Sequence, residues 1–290
     1  MQNGYFISSL DQGSKKILET KYPVFTENEY KRRIALLSDT ISNLNLDKVV
    51  IYEAIGSGSA VQYFTGWHTT QEALVDIVDG KKINLYVEHY NHLPMAEKLI
   101  NNQTNLIWGE RQLSQKIFPS IIQNLDSNGK IGVIGRLPYS YVEQLNEKNI
   151  QVIDIFSHYN KMRSIKSAEE VSWMKIAAAL TDEGINNLVN NLEPGLTEHE
   201  MSQITQSGYL KHGGHKIINF FGITDMDKPD NCVPYQYTSN KTITKDDVIT
   251  TEISSHFWNY PGQVLRSIGF KKLNPLYSEL HAVGDEVFKS

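Results

Sequence analysis

From Tyr30 the apolar positions recur at spacings of four and three, through Ile34, Leu37, Ile41 and Leu44. That is one stripe on a helix of about five turns. Thr26, with Glu29 three residues on, predicts a capping box in front of it. The pattern then changes period. Asp47–Tyr52 is a nearly continuous apolar run and predicts a buried strand, Gly56–Ser59 predicts a loop, and Val61–Phe64 predicts a second short strand. Two further apolar runs, 73–79 and 82–88, flank Asp79-Gly80, which predicts a hairpin. Helices are expected at 94–101, 112–124 and 138–147, with strands at 105–108, 130–134 and 151–155. Strands alternating with helices imply an α/β domain with a mixed sheet.

Residues 1–24 show little periodicity and read as an irregular lead-in, and Ser157–Ser164 reads as a polar connection. Beyond it the order differs. Val171, Met174, Ala178, Thr181, Ile185, Leu188 and Leu192 trace one face of a long helix, stopped by Pro194-Gly195. Thr197–Glu200 caps a second helix, which ends at Gly213-Gly214. The stretches 216–223, 248–256 and 261–270 then read as strands, and Pro275–Phe288 as the start of an amphipathic helix. Helices first and strands afterwards is the α+β order. The expected domains are 25–160 and 161–290.

Length and composition narrow the function classes. A chain of 290 residues suits two domains. With 28 basic and 33 acidic residues the net charge is −5, which gives no footprint for nucleic acid or an anionic membrane. No apolar run approaches the roughly 18 residues a bilayer span requires. The first residues lack a basic region followed by an apolar one, so a cytoplasmic location is expected. The one cysteine, Cys232, forms no internal disulfide and no cysteine metal site.

Phosphate-cradling, zinc-protease and nucleophile-elbow motifs are absent. His212 and His215 read as metal ligands or as surface imidazoles beside a helix stop. His89 and His92 read as a pocket mouth or as solvated turn residues. The aromatic block Tyr63-Phe64-Thr65-Gly66-Trp67 reads as a ligand wall or as the hydrophobic cap of a sheet. The most informative stretch runs from Glu252 to Arg266, where polar residues on two adjacent strands converge on a site or form a cross-strand ion pair.

Several segments together resemble the family of Xaa-Pro aminopeptidases, prolidases, methionine aminopeptidases and creatinase. They are the Tyr63–Trp67 block, Met162–Val171, Leu192–Glu198, and Asp246–Ile249 followed by Glu252. The resemblance spans about residues 25–290. It implies a creatinase/prolidase-type α/β domain followed by the first half of a pita-bread catalytic domain. It also implies a homodimer, and a small-molecule or dipeptide substrate cleaved at a C–N bond. Because the family's second half supplies further site residues, the chain reads as a fragment or the product of a truncated gene.

This sequence departs from that family at its centre. Glu252 and Gln263 stand at the spacing of the family's two metal-binding aspartates, and a neutral glutamine is a poor bridge between cations. Where the family has a functional histidine upstream, Pro234-Tyr235-Gln236 stands instead. The resemblance therefore implies a hydrolase without the usual dinuclear metal site. Glu252 would bind or polarise a cationic group and Tyr235 would donate a hydrogen bond or act as a base. Gln263 and Arg266 would orient the substrate, and Phe64 and Trp67 would wall it. A non-catalytic binding protein, and a peptidase tolerating Mn or Co on a variant site, are the alternatives.

Overall fold

The computed structural model describes residues 6–270 and 274–290, so residues 1–5 of the expected lead-in and the residues 271–273 lie outside it. The chain divides into two compact units. One is Lys21–Glu169, and the other combines the segment up to Thr20 with Glu170–Ser290.

In order, the elements from the start of the chain to the end of the α/β unit are α1 (Gln12–Glu19), α2 (Glu27–Leu44), β1 (Lys48–Ala54), α3 (Ala60–Thr65), β2 (Glu72–Val78) and β3 (Lys82–Val87). They continue with α4 (Leu93–Leu99), β4 (Thr104–Trp108), a π-helical turn (Leu113–Ile117), α5 (Phe118–Ile122), β5 (Lys130–Ile134), α6 (Tyr139–Glu147), β6 (Gln151–Asp154) and α7 (Phe156–Ser164). The six strands form one mixed sheet in the order β4-β3-β2-β1-β5-β6. β1 is parallel to β5 and antiparallel to β2, β3 is antiparallel to β2 and parallel to β4, and β5 is parallel to β6. β2 therefore runs against the other five. Val49, Val50 and Ile51 are all fully buried, so both faces of β1 are covered. Asp79 and Gly80 both take positive φ, the two-residue turn their sequence predicts.

Three expectations from local pattern are corrected. Val61–Phe64 is not a strand but lies in α3. The cause is distant in sequence: the Glu53 carboxylate on β1 accepts the Ala60 and Val61 N–H groups, and so caps the helix. Gly66 ends α3 at φ 93, where a Cβ would lie 2.2 Å from the Leu99 carbonyl oxygen. The supposed lead-in contains α1, capped by Asp11, whose Oδ1 accepts Ser14 N–H at 2.8 Å. It packs with the second unit: Ile7 N–H donates to Glu183 Oε1 at 3.3 Å, and Lys175 Nζ lies 3.5 Å from Asp11 Oδ2. The polar connection 157–164 is helical, within α7, because Tyr159 and Met162 give it a buried side.

In the second unit α8 (Ala168–Asn190) and α9 (Glu198–Leu210) lead into β7 (His215–Asp225), β8 (Asp247–Phe257), β9 (Tyr260–Gly269) and α10 (Pro275–Lys289). The three strands form an antiparallel sheet in chain order. Thr197 and Glu200 make both halves of a capping box for α9. On one face of the sheet, Ile249, Ile253, Phe221 and Ile223 pack with Ile185, Leu188 and Met201. Each fully buried isoleucine contributes about 1.5–3 kcal/mol. Thr181 and Ser255 hydroxyls meet at 2.8 Å across that contact. Gly262 lets α8 approach β9, since a Cβ there would lie 2.4 Å from the Ala177 carbonyl oxygen. The apolar side of these strands is covered by the helices: Ile249 and Ile253 are fully buried, and Val264 and Ile268 pack partly against them.

Candidate functional site

Side chains alternate across a strand, and directly paired residues share a face. Ile249, Thr251, Ile253 and Ser255 of β8 point to the helices, so Thr250, Glu252, Ser254 and His256 point to the other face. Glu252 is paired with Phe220 of β7 and Leu265 of β9, and Ser254 with Gln263. Glu252 and Gln263 are thus diagonal neighbours on one face. Gln263 Nε2 donates to Glu252 Oε1 at 2.8 Å. The reverse amide orientation would set two acceptors against each other, so the carboxylate fixes the amide.

At the far end of the same face, the His215 and His256 rings stack with centroids 5.3 Å apart and an interplanar angle of 24°. Burial, reinforced by the neighbouring imidazole, pushes His256 down to about 4. Its Nδ1 accepts the Asn259 N–H at 3.1 Å. His215 therefore pairs with His256. Ser254, 4% exposed, and the His215–His256 stack are features of this face that pattern reading did not single out. They become visible only once the strand register is known.

Arg266 and Tyr235 are not brought to the pair. Arg266 pairs with Thr251, so it sits on the opposite face from Glu252, and its guanidinium donates to the Leu265 carbonyl at 2.7 Å. Tyr235 pairs with Phe221 on the outer edge of β7, so that strand stands between it and Glu252. Phe64 and Trp67 are 0% and 2% exposed inside the α/β unit, where they serve as core.

Residues 172–290 match the family model described as metallopeptidase family M24. Over those residues the second unit is similar to family M24. The Xaa-Pro dipeptidase of Pyrococcus furiosus is 22% identical over 255 residues, covering 87% of this chain and 69% of that protein. The solved prolidase from Pyrococcus furiosus superposes with a TM-score of 0.65 at 20% identity, over 82% of this chain and 66% of that one. The N-terminal domain of the FACT complex subunit SPT16 from chickpea superposes with a TM-score of 0.62 at 14% identity, over 83% and 66%. The chain thus spans about two thirds of the length of these relatives. The shared fold is a prolidase-type α/β domain followed by part of a pita-bread domain.

The M24 name implies metal ions, and the donor set here does not fit a pair of them. Two close divalent cations need bridging carboxylates to offset their repulsion. Here one of the two positions is a neutral amide, and its N–H is directed at the sole carboxylate of the pair. Among the described residues no three His, Cys, Asp or Glu side chains converge to hold a cation.

Proposed function

We propose that this chain carries a Xaa-Pro peptidase or creatinase-type hydrolase function, acting on C–N bonds of small peptides or amidino compounds, without a dinuclear metal centre. The observation that supports this reading most is the hydrogen bond from Gln263 to Glu252 on the open face of the M24 sheet. A carboxylate held by an amide offers its remaining lone pairs to a cationic group, such as an amino terminus or an amidinium. The glutamine oxygen is left to accept a substrate N–H. Glu252 binds and orients in this reading, and Gln263 positions it.

The test is turnover of Xaa-Pro dipeptides and of creatine-like amidino compounds by the purified chain, with chelator and with added Mn or Co. The expected result is activity that survives chelation, is lost in Glu252→Gln, and accompanies less than one metal per chain. About two metals per chain by elemental analysis, with activity that chelation abolishes, would sink it. A second reading is a non-catalytic peptide-binding domain. It is favoured because Tyr235, the nominated proton-transfer group, stands across β7 from Glu252. Calorimetric binding of the same dipeptides without turnover separates the two.

A further inference from the structure

The α/β unit contains a cavity of about 310 Å³. It opens at the carboxyl ends of the parallel strands. Tyr52 lies near the end of β1, Glu88 follows β3, Arg111 follows β4, and Tyr141 lies in the helix after β5. Glu72 is the first residue of β2, which runs the other way and so begins at the same edge. From β1 the chain moves to β2, β3 and β4 on one side, then places β5 and β6 on the other. Connections diverge at such a point and leave a crevice, which is where open α/β sheets bind ligands.

The lining is poised for a ligand. Tyr141 is 2% exposed, and its hydroxyl has no hydrogen-bond partner among the described residues. A buried hydroxyl left unpaired is uncommon and costly. The Tyr52 ring lies 5.4 Å from the Tyr141 ring, and burial together with a hydrogen bond to Glu72 raises the Tyr52 hydroxyl well above the usual phenol range. Two tyrosine faces beside two carboxylates suit an organic cation. Arg111 supplies the opposite charge. Its Nε donates to His89 Nδ1 at 3.2 Å, which anchors the guanidinium. The backbone that presents it is strained, with Glu110 and Arg111 both left-handed at φ 53 and 56.

We propose that this cavity binds a small zwitterion of amino-acid or dipeptide size. Its ammonium group sits against Glu72, Glu88 and the tyrosine rings. Its carboxylate meets Arg111, and one of its acceptor atoms takes the hydrogen bond that Tyr141 offers. The inference does not rest on the Glu252 site.

The test is calorimetric titration of the 290-residue chain carrying Glu252→Ala, so that a peptide held in the M24 domain contributes nothing. The probes are glycylglycine, its N-acetylated form and its C-terminal amide. Glycylglycine should bind with a Kd of about 1 mM, and each blocked form should bind at least about tenfold more weakly, having lost one charged contact. Tyr141→Phe should weaken binding about fivefold, the size of one hydrogen bond. The same substitution should raise the Tm of the free protein, because an unpaired buried hydroxyl is gone. Arg111→Ala should weaken glycylglycine but not its amide. No binding of glycylglycine, or binding that both variants leave unchanged, overturns the proposal. A Tyr141→Phe variant that loses stability without ligand also overturns it, since the hydroxyl would then have a structural partner.

Discussion

Arg33 is enclosed in the α/β domain at 1% exposure. In the sequence, Lys31-Arg32-Arg33 is a charge run of the kind that covers a solvated helix face. In the fold, Arg33 Nε donates to Glu29 Oε1 at 2.6 Å and its NH1 donates to the Tyr63 carbonyl at 2.9 Å. The guanidinium lies 4.2 Å from the Phe25 ring centroid and 4.3 Å from that of Tyr63. Burial alone would raise Glu29, yet Arg32 and Arg33 outweigh it and hold the carboxyl below its ordinary 4.5. A depressed folded-state pKa contributes stability that is present above that ordinary value and is lost as pH falls below it. Arg33→Met should lower stability by about 3–5 kcal/mol, because it leaves a buried carboxylate with one partner fewer. Glu29→Gln should flatten the loss of stability between pH 5 and pH 3 in urea unfolding. An equally steep loss in that variant would show that Glu29 does not carry the acid sensitivity.

Elements fixed by neighbouring residues were legible in the sequence, and those fixed from afar were not. The capping box at Thr197 and Glu200 forms as read. At Thr26 only half of one does, since Thr26 Oγ1 accepts the Glu29 N–H while the Glu29 side chain turns to Arg32 and Arg33. The helical state of 60–65 depends on Glu53, and nothing within that segment announces it. The Glu252–Gln263 pair was legible through its spacing, because two strands joined by a tight turn keep a fixed register. The face occupied by Arg266 was not, because one residue of register decides it. The cavity of the α/β unit was invisible because its walls come from elements far apart in sequence, β1, β2, α6 and the segments after β3 and β4. The capping box gives a prediction at this scale. Thr197→Ala should lower stability by about 1 kcal/mol, visible as a reduced Tm. Glu200→Gln keeps a side-chain acceptor for the Thr197 N–H and should change it by only a few tenths. A loss in Glu200→Gln as large as that in Thr197→Ala would show that the carboxylate's charge, and not only its acceptor oxygen, carries its half of the cap.

At the scale of the whole molecule, the sequence expectation ends the first domain at residue 160, inside α7. The structure gives that helix a role in the α/β unit. Tyr159 is 2% exposed, its ring lies 5.5 Å from that of Tyr63 and 6.0 Å from that of Phe64, and its hydroxyl meets Ser59 Oγ at 3.1 Å. Met162 is buried on the same helix. Removing α7 would expose Tyr63 and Phe64, and would also take two side chains out of the core. Losing one large buried aromatic costs about 3–5 kcal/mol, a large share of the 5–15 kcal/mol that a domain of this size has in total. Residues 21–169 expressed alone should therefore unfold in one sharp thermal transition. Residues 21–155 should either melt far lower or show the broad transition and dye binding of a loosely packed state. Equal melting of the two fragments would mean that α7 is an appendage, and that the core around Tyr63 closes without it.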